Sequence, residues 1–297
     1  LPLLLVASWS LLTPGVLDGR RGSGAGHGAA DSRTVLRPLV ASILVLIAVL
    51  LPLVPILIWS FAYRWYFPDL LPAEWSLRAW RYLFSGTSQV GRGAAQGLVI
   101  ALAATALALL AGVPAGRALG LHSFRGKRLV QFLILAPTIV PGIAAVMGIH
   151  VLFIKLRLTG TMLGVVLVHL VPTIPYVTMV MTGVFANYDP EIEEQARTLG
   201  AGWWHVFRYV TLPAIYPGLL VGGMFAFIIS WEQYILTLLI GSGRVITLPV
   251  LLFSFAGSGN NAITAALSIL FVAPSILILL FTSRHLTGES AMMGGVR

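Results

Sequence analysis

The chain has 297 residues, 58% of them hydrophobic and only 10% charged, with a mean hydropathy of +0.92. Soluble domains carry about a quarter charged residues, so this composition cannot cover a soluble core and points to a polytopic membrane protein. Having no cysteine, it holds no disulfide scaffold, thiolate nucleophile or Cys-based metal site. The net charge of +9 sits at the ends of apolar runs, not in a basic stripe interleaved with aromatics, which argues against nucleic-acid binding.

Residues 1–33 open with an apolar run, Leu1–Leu12, too short to cross a bilayer unaided, followed by a flexible basic linker at Arg20 and Arg21. The run reads as an interfacial segment, a truncated leader or an over-long start, and no function is assigned to it. A spanning helix needs about 20 mainly apolar residues, and six stretches qualify: 36–62, 95–120, 129–154, 161–186, 215–240 and 262–283. The expected fold is all-α, a bundle of six spans within 34–287, with a polar loop at 187–214 and a tail at 288–297.

Lys and Arg in short loops set the orientation. With the N-terminus inside, twelve basic residues face the cytoplasm and seven the outside. Four of the seven, Arg64, Arg78, Arg81 and Arg92, share one loop of roughly thirty residues, where the rule weakens. Both termini are therefore expected in the cytoplasm. The outer segment Tyr63 to Arg92 carries Trp65, Tyr66, Phe67, Trp75, Trp80 and Tyr82, residues that favour the headgroup interface. It reads as a helix on the bilayer surface or as a contact for an extracytoplasmic protein.

Within the spans, Gly112-x-x-x-Gly116 and Gly218-x-x-x-Gly222 match the small-residue spacing of close helix packing. Pro137, Pro141, Pro172 and Pro175 weaken helix hydrogen bonding locally and mark kinks, hinges or cavity positions. Ionisable groups inside a span are costly and usually face a cavity. Glu232, in Ser230-Trp231-Glu232-Gln233-Tyr234, is the prominent case; it either lines a translocation path or sits at the interface and pairs within the bundle. Trp231, Tyr234, His169 and Pro175 complete the candidate path, although a lone His on an apolar helix, as at His150 and His169, is more often a satisfied packing residue.

The polar loop between the fourth and fifth spans is the most organised non-apolar segment. Asp189 can cap a helix, Pro190 suits its first position, and Glu191, Glu193 and Glu194 complement its positive end. The helix is expected to run about three turns to Leu199, where Gly200 can leave helical geometry without steric penalty. A second short helix is expected from about Trp203 to Leu212-Pro213. Two such helices form an L-shaped projection, in which Ala196 admits a partner backbone and Ile192 and Leu199 give apolar grip.

The spacing of Glu194, Ala196, Gly200, Leu212 and Pro213 resembles the loop by which the membrane subunits of ABC importers grip their ATPase. Gln195 and Val210 stand where that family usually has Ala and Ile. The resemblance covers roughly residues 40–285 and implies a permease of the type I ABC importer fold. It further implies a cytoplasmic ATPase dimer as partner, engaged through Glu191, Glu194, Ala196, Leu199, Gly200, Leu212 and Pro213. A second permease subunit and an extracytoplasmic solute-binding protein follow from the same likeness. ATP and Mg would be used by the partner ATPase, with no cofactor on this chain. Consistent with that, the nearest approach to a phosphate loop, Gly120 to Gly126-Lys127, has the wrong spacing and is followed by Arg128.

Around Glu232 and the downstream Gly241-Ser-Gly243 and Thr247-Leu248-Pro249, the likeness narrows to the subgroup serving polyamines; related members handle ferric iron, thiamine or aminophosphonates. That subgroup usually has a second acid where this chain has Gln233, which weakens the polyamine assignment. A secondary transporter would predict repeated halves and several midplane charges. A membrane enzyme would need converging His, Asp or Ser groups at one depth. The sequence displays neither pattern.

Overall fold

The computed structural model describes residues 50–66, 68–139 and 142–293, together with isolated positions between 40 and 48. The expected extension 1–33 and most of the first span, 36–62, lie outside the described residues; the described end of that span is α1, Leu53–Phe61. After it the chain turns extended. Strand β1, Ala62–Arg64, pairs antiparallel with β2, Glu74–Trp75, and the two-turn helix α2, Arg78–Leu83, follows. The surface helix expected over Tyr63 to Arg92 is thus a hairpin with a short helix. Pro68 and Pro72 lie between the strands, where they lack the N–H groups a continuous helix needs.

The bundle is made of α3 (Val90–Leu121), α4 (Lys127–Ile139), α5 (Gly142–Lys155), α6 (Met162–Ala186), α7 (Glu191–Thr198), α8 (Trp203–Val206), α9 (Leu212–Trp231), α10 (Ile235–Gly241), α11 (Leu248–Gly257) and α12 (Asn261–Met293). Among the described residues, four helical stretches are long and apolar enough to cross a membrane: Val90–Leu121, Met162–Ala186, Trp203–Trp231 and Asn261–Thr282. The polytopic all-α architecture expected from composition is therefore present. The third expected span, 129–154, is helical in α4 and α5 on either side of residues 140 and 141, which lie outside the described residues, and α12 continues past the expected sixth span into the region assigned to the tail.

Two further differences concern the site. The second loop helix does not stop at Leu212-Pro213. From Trp203 the helix runs on to Trp231, widened to a π-turn over Phe207–Thr211, where the Leu212 N–H reaches back five residues to the Phe207 carbonyl. The widened turn lets a proline without an N–H sit inside a continuing helix. The fifth span, in contrast, is interrupted: α9 ends at Trp231, and α10 starts only at Ile235.

What packs these helices is small residues, not large ones. Apolar side chains gain nothing by leaving lipid for one another, so close backbone approach and van der Waals contact must supply the attraction. On α3 the enclosed positions include Gly93, Gly97, Ala101, Ala104, Ala108, Gly112 and Gly116, at spacings of three or four, beside Val90, Ile100 and Leu119, while Leu98, Leu102, Leu107 and Leu110 point outward. Gly112, Gly116 and Gly120 lie directly against Val177, Met181 and Phe185 of α6. A Cβ on Gly112 would stand 2.6 Å from the Val177 Cγ1, and on Gly120 the same distance from the Phe185 Cβ. Gly218 of α9 abuts Val184 in the same way.

Replacing Gly116 by Leu is expected to force α3 from α6 at a cost of about 1–3 kcal/mol, the usual range for overpacking. Gly183→Ala, where a Cβ would meet nothing within 4 Å, is expected to be silent. Thermal unfolding of the two purified variants in detergent checks the contrast.

Candidate functional site

Helix α7 is built as a self-contained element. The Glu191 N–H donates to Asp189 Oδ1 at 2.9 Å, and Glu191, Glu193 and Glu194 occupy the electropositive first turn. It is two turns long and ends in a Schellman arrangement. The Gly200 N–H donates to the Arg197 carbonyl at 2.9 Å, and the Ala201 N–H to the Ala196 carbonyl at 3.1 Å. Gly200 has φ +86°, in the left-handed region, and a Cβ there would meet nothing within 4 Å. Its glycine is required by backbone conformation alone.

This elbow is fastened to the bundle through one side chain that the sequence does not single out. Glu193 is 5% exposed. The Arg117 guanidinium, at the far end of α3, donates to both of its oxygens at 2.9 and 2.8 Å. Tyr188 and Thr211 hydroxyls donate to Oε1 at 2.9 and 2.8 Å, and Arg197 stands 3.6 Å from Oε2. One carboxylate thereby joins α7, the α6–α7 hinge, α3 and the π-turn. Arg117 lies over the Phe185 ring at 5.6 Å, so its charge is held from both sides. The paired arginine, with the Thr211 and Tyr188 hydroxyls, draws the Glu193 carboxyl from the usual 4.5 down to about 2, against the opposing pull of burial.

With Glu193 and Val206 turned inward, most of the remaining residues of the elbow point away from the bundle. Glu191, Ile192, Glu194, Leu199 and Gly200 are exposed, Leu199 at 89%; Ala196 and Leu212 are half-buried and Pro213 is exposed. Trp203, Trp204 and Tyr209 add exposed aromatic surface beside them, with Trp203 stacked on Phe207 at 6.0 Å. The structure thus brings together on one surface most of the loop residues singled out by sequence.

The candidate path residues divide differently. Glu232 closes α9, donating its N–H to the Ile228 carbonyl, and its exposed carboxylate has no hydrogen-bond or ion-pair partner among the described residues. Tyr234 stacks on Phe253 of α11 with centroids 4.0 Å apart. Trp231, by contrast, is enclosed, donating to the Phe271 carbonyl at 3.0 Å and lying between the Phe227 and Phe271 rings. Pro175 is also buried, within α6. His169 is 1% exposed and spans the interruption: Nδ1 is 2.8 Å from the Ser230 Oγ and Nε2 is 3.0 Å from the Thr237 Oγ1. Because the Thr237 hydroxyl donates to the Gln233 carbonyl, it accepts from Nε2–H, and Nδ1 accepts from Ser230. His169 therefore ties both halves of the broken span to α6. His150 is half-buried on α5 with no polar partner among the described residues.

A further feature is an elongated cavity of about 710 Å³ between α3, α9 and the elbow, with Arg117, Glu193, Arg197 and Trp203 at one end. Among the described residues no group of three or more His, Cys, Asp or Glu side chains is placed to hold a metal ion.

A bundle of small-residue-packed spans with a helix–glycine–helix elbow projecting between the fourth and fifth defines a membrane permease subunit. Residues 112–287 match the family described as binding-protein-dependent transport system inner membrane component, and the chain belongs to it. It is 30% identical over 247 residues to the putative 2-aminoethylphosphonate transport system permease protein PhnV of Salmonella typhi, covering 82% of this chain and 92% of that protein. Against the putrescine transport system permease protein PotI of Escherichia coli (strain K12) it is 30% identical over 206 residues, 67% of this chain and 73% of that one. The fold is shared with a chain of a bacterial ABC transporter that imports the acidic polysaccharide alginate, at a TM-score of 0.67 and 17% identity over 88% of this chain and 99% of that one. The protein is a membrane-spanning permease subunit of an ABC importer.

Removing one partner of a buried ion pair costs about 3–5 kcal/mol. The Arg117 side chain is 36% exposed and keeps some hydration, so Glu193→Gln is expected to lose about 2 kcal/mol of elbow docking. Because the folded pKa lies below the ordinary one, the stabilisation is complete above about 4.5 and is lost as pH falls toward about 2. Amide protection over residues 191–201, taken relative to the intrinsic exchange rate at each pH, checks both: it falls across that acid window in the native chain, and is already low above it in Glu193→Gln.

Proposed function

We propose that the elbow of α7 and α8 is the handle by which a cytoplasmic ATPase dimer drives this permease. The observation that carries the reading is the division of labour within α7. Glu193 is committed inward to Arg117 and Thr211, while Ile192, Glu194, Leu199 and Gly200 are left outward and unpartnered. A lever needs both a firm attachment to what it moves and a free surface for what moves it. Displacement of α7 passes through Glu193 to the inner end of α3 and through Thr211 to α9. Because α8, the π-turn and α9 are one unbroken helix, a push at Trp203 is also delivered directly along the span. ATP and Mg belong to the ATPase chains in this reading, and this chain forms no bond and breaks none.

A second permease subunit, a paralogue or a copy of this chain, encloses the path with it. A soluble extracytoplasmic binding protein delivers the solute, which places the α7 end and both termini in the cytoplasm of a prokaryotic inner membrane. The solute is read as a small compound with a primary ammonium group. Glu232 offers an unpaired carboxylate at a helix interruption, beside the aromatic face of Tyr234, and a cation is the natural partner of both. Putrescine and 2-aminoethylphosphonate, the solutes named for two relatives, share that group. A single acid, with Gln233 beside it, suits one ammonium better than the several of a long polyamine.

Gly200→Val is expected to strain the elbow without touching the bundle, since φ +86° disfavours a β-branched residue. The variant should insert normally, yet lose ATPase co-purification and ATP-driven uptake; retention of both would remove the handle assignment. Glu232→Gln removes a charge-assisted contact and is expected to slow uptake of labelled putrescine or 2-aminoethylphosphonate by about tenfold or more. ATPase association should be untouched, and unchanged uptake of every ammonium solute tried would dispose of the path assignment.

A further inference from the structure

The cavity beside the elbow has a shape and a polarity that the lever does not need. Its wall on α3 runs from Ala106 to Arg117, eleven residues or about 16 Å along a helix. One leaflet of bilayer hydrocarbon is about 15 Å deep. Over that length the lining is aliphatic, with Leu109, Leu110 and Val113 facing Leu212, Ile215 and Leu219. Only at the elbow end does it become polar, where Arg117, Arg197 and Glu193 leave one positive charge in excess among the lining residues. Trp203, 71% exposed and with no partner for its indole N–H among the described residues, stands at the same level. Apolar length, then a cation pair and an amphipathic ring, is the order in which a phospholipid presents its own parts.

The geometry points to a resident anionic phospholipid: one acyl chain lies between α3 and α9, and the phosphate is held by Arg197 and the outer edge of Arg117. Charge complementarity favours this occupant over a protein segment: the lining is apolar except where two arginines and one glutamate meet at the elbow. Arg197 is the freer of the two cations, since its contact with Glu193 is long at 3.6 Å and its side chain is 53% exposed. The lipid would wedge α3, α9 and the elbow at the joint through which motion passes, so its presence sets how stiffly the elbow is held. Assignment to the cytoplasmic leaflet rests on the orientation proposed above; the lipid site itself does not.

The test uses the assembled transporter reconstituted in nanodiscs of equal parts phosphatidylglycerol and phosphatidylcholine, with retained lipid counted by native mass spectrometry. Phosphatidylglycerol is expected to remain bound in preference to phosphatidylcholine by about fivefold per engaged arginine. Leu110→Trp, at a side chain 73% exposed and outside the packed core, is expected to displace it. Arg197→Gln is expected to keep a lipid but lose the preference for the anion. Equal retention of both lipids by the native chain, or unchanged retention in Leu110→Trp, would overturn the proposal. A photo-crosslinker on Leu110→Cys, clean because the chain has no other cysteine, separates the rival occupant. Capture of lipid supports the site, and capture of the second permease chain refutes it. None of these outcomes depends on whether α7 engages an ATPase, which co-purification reads independently.

Discussion

The carboxylate of Glu193 is the contact through which the polar loop belongs to the membrane bundle. Without it, α7 would be a short helix on a hinge, stabilised by its own caps and free to swing. Three side chains from three other segments converge on its two oxygens, and the pair with Arg117 is bidentate, which fixes angle as well as distance. A hydrophobic contact at the same place could hold the elbow near the bundle. It could not set the elbow's direction, because apolar contact is non-directional. In the reading proposed for the elbow, motion imposed by a partner needs that direction defined.

The same demand for rigidity explains the small-residue seam of α3. The C-terminal third of this helix carries Arg117 and lies glycine-first against α6, with Val177, Met181 and Phe185 filling the hollows left by absent side chains. Such an interface tolerates sliding poorly, so α3 and α6 move together. The large leucines of α3 face outward instead, where a bilayer accepts them at no cost. At the opposite end the bundle is softer by construction. The fifth span is interrupted at Glu232-Gln233-Tyr234, and His169 bridges Ser230 and Thr237 across the gap. Backbone that leaves helical geometry at membrane depth must be satisfied by protein or by a cavity. Here the Thr237 hydroxyl satisfies the Gln233 carbonyl and His169 holds that hydroxyl and Ser230 in place, while the Glu232 carboxylate has no partner among the described residues.

How much of this was legible beforehand depended on whether the signal was local. Membrane class, the number and approximate limits of the long apolar runs, the capped start of α7 and the glycine that ends it are all written in composition or in neighbouring residues. The helix–glycine–helix elbow was legible for the same reason, its residues lying close together in the chain. Glu193 was not legible. It sits in a run of three acids, and only the helix phase relative to Arg117, seventy-six residues earlier, distinguishes it from Glu191 and Glu194. The i,i+4 relation to Arg197 was its one local hint, and that contact is the weakest of the five.

The tolerance of Pro213 and the partners of His169 were not legible for a similar reason. Pro213 looked like a helix stop, but a five-residue turn beneath it absorbs the missing donor, so the lever and the span are one helix. His169 looked like a lone polar residue in an apolar run, and its partners lie sixty-one and sixty-eight residues away. The sequence by itself determined the solvent this protein lives in and where its helices begin and turn, because hydropathy and capping act over a few residues. Only the tertiary structure decided which acid is buried, which span is broken and which proline is tolerated, because each depends on a donor or acceptor brought from a distant helix.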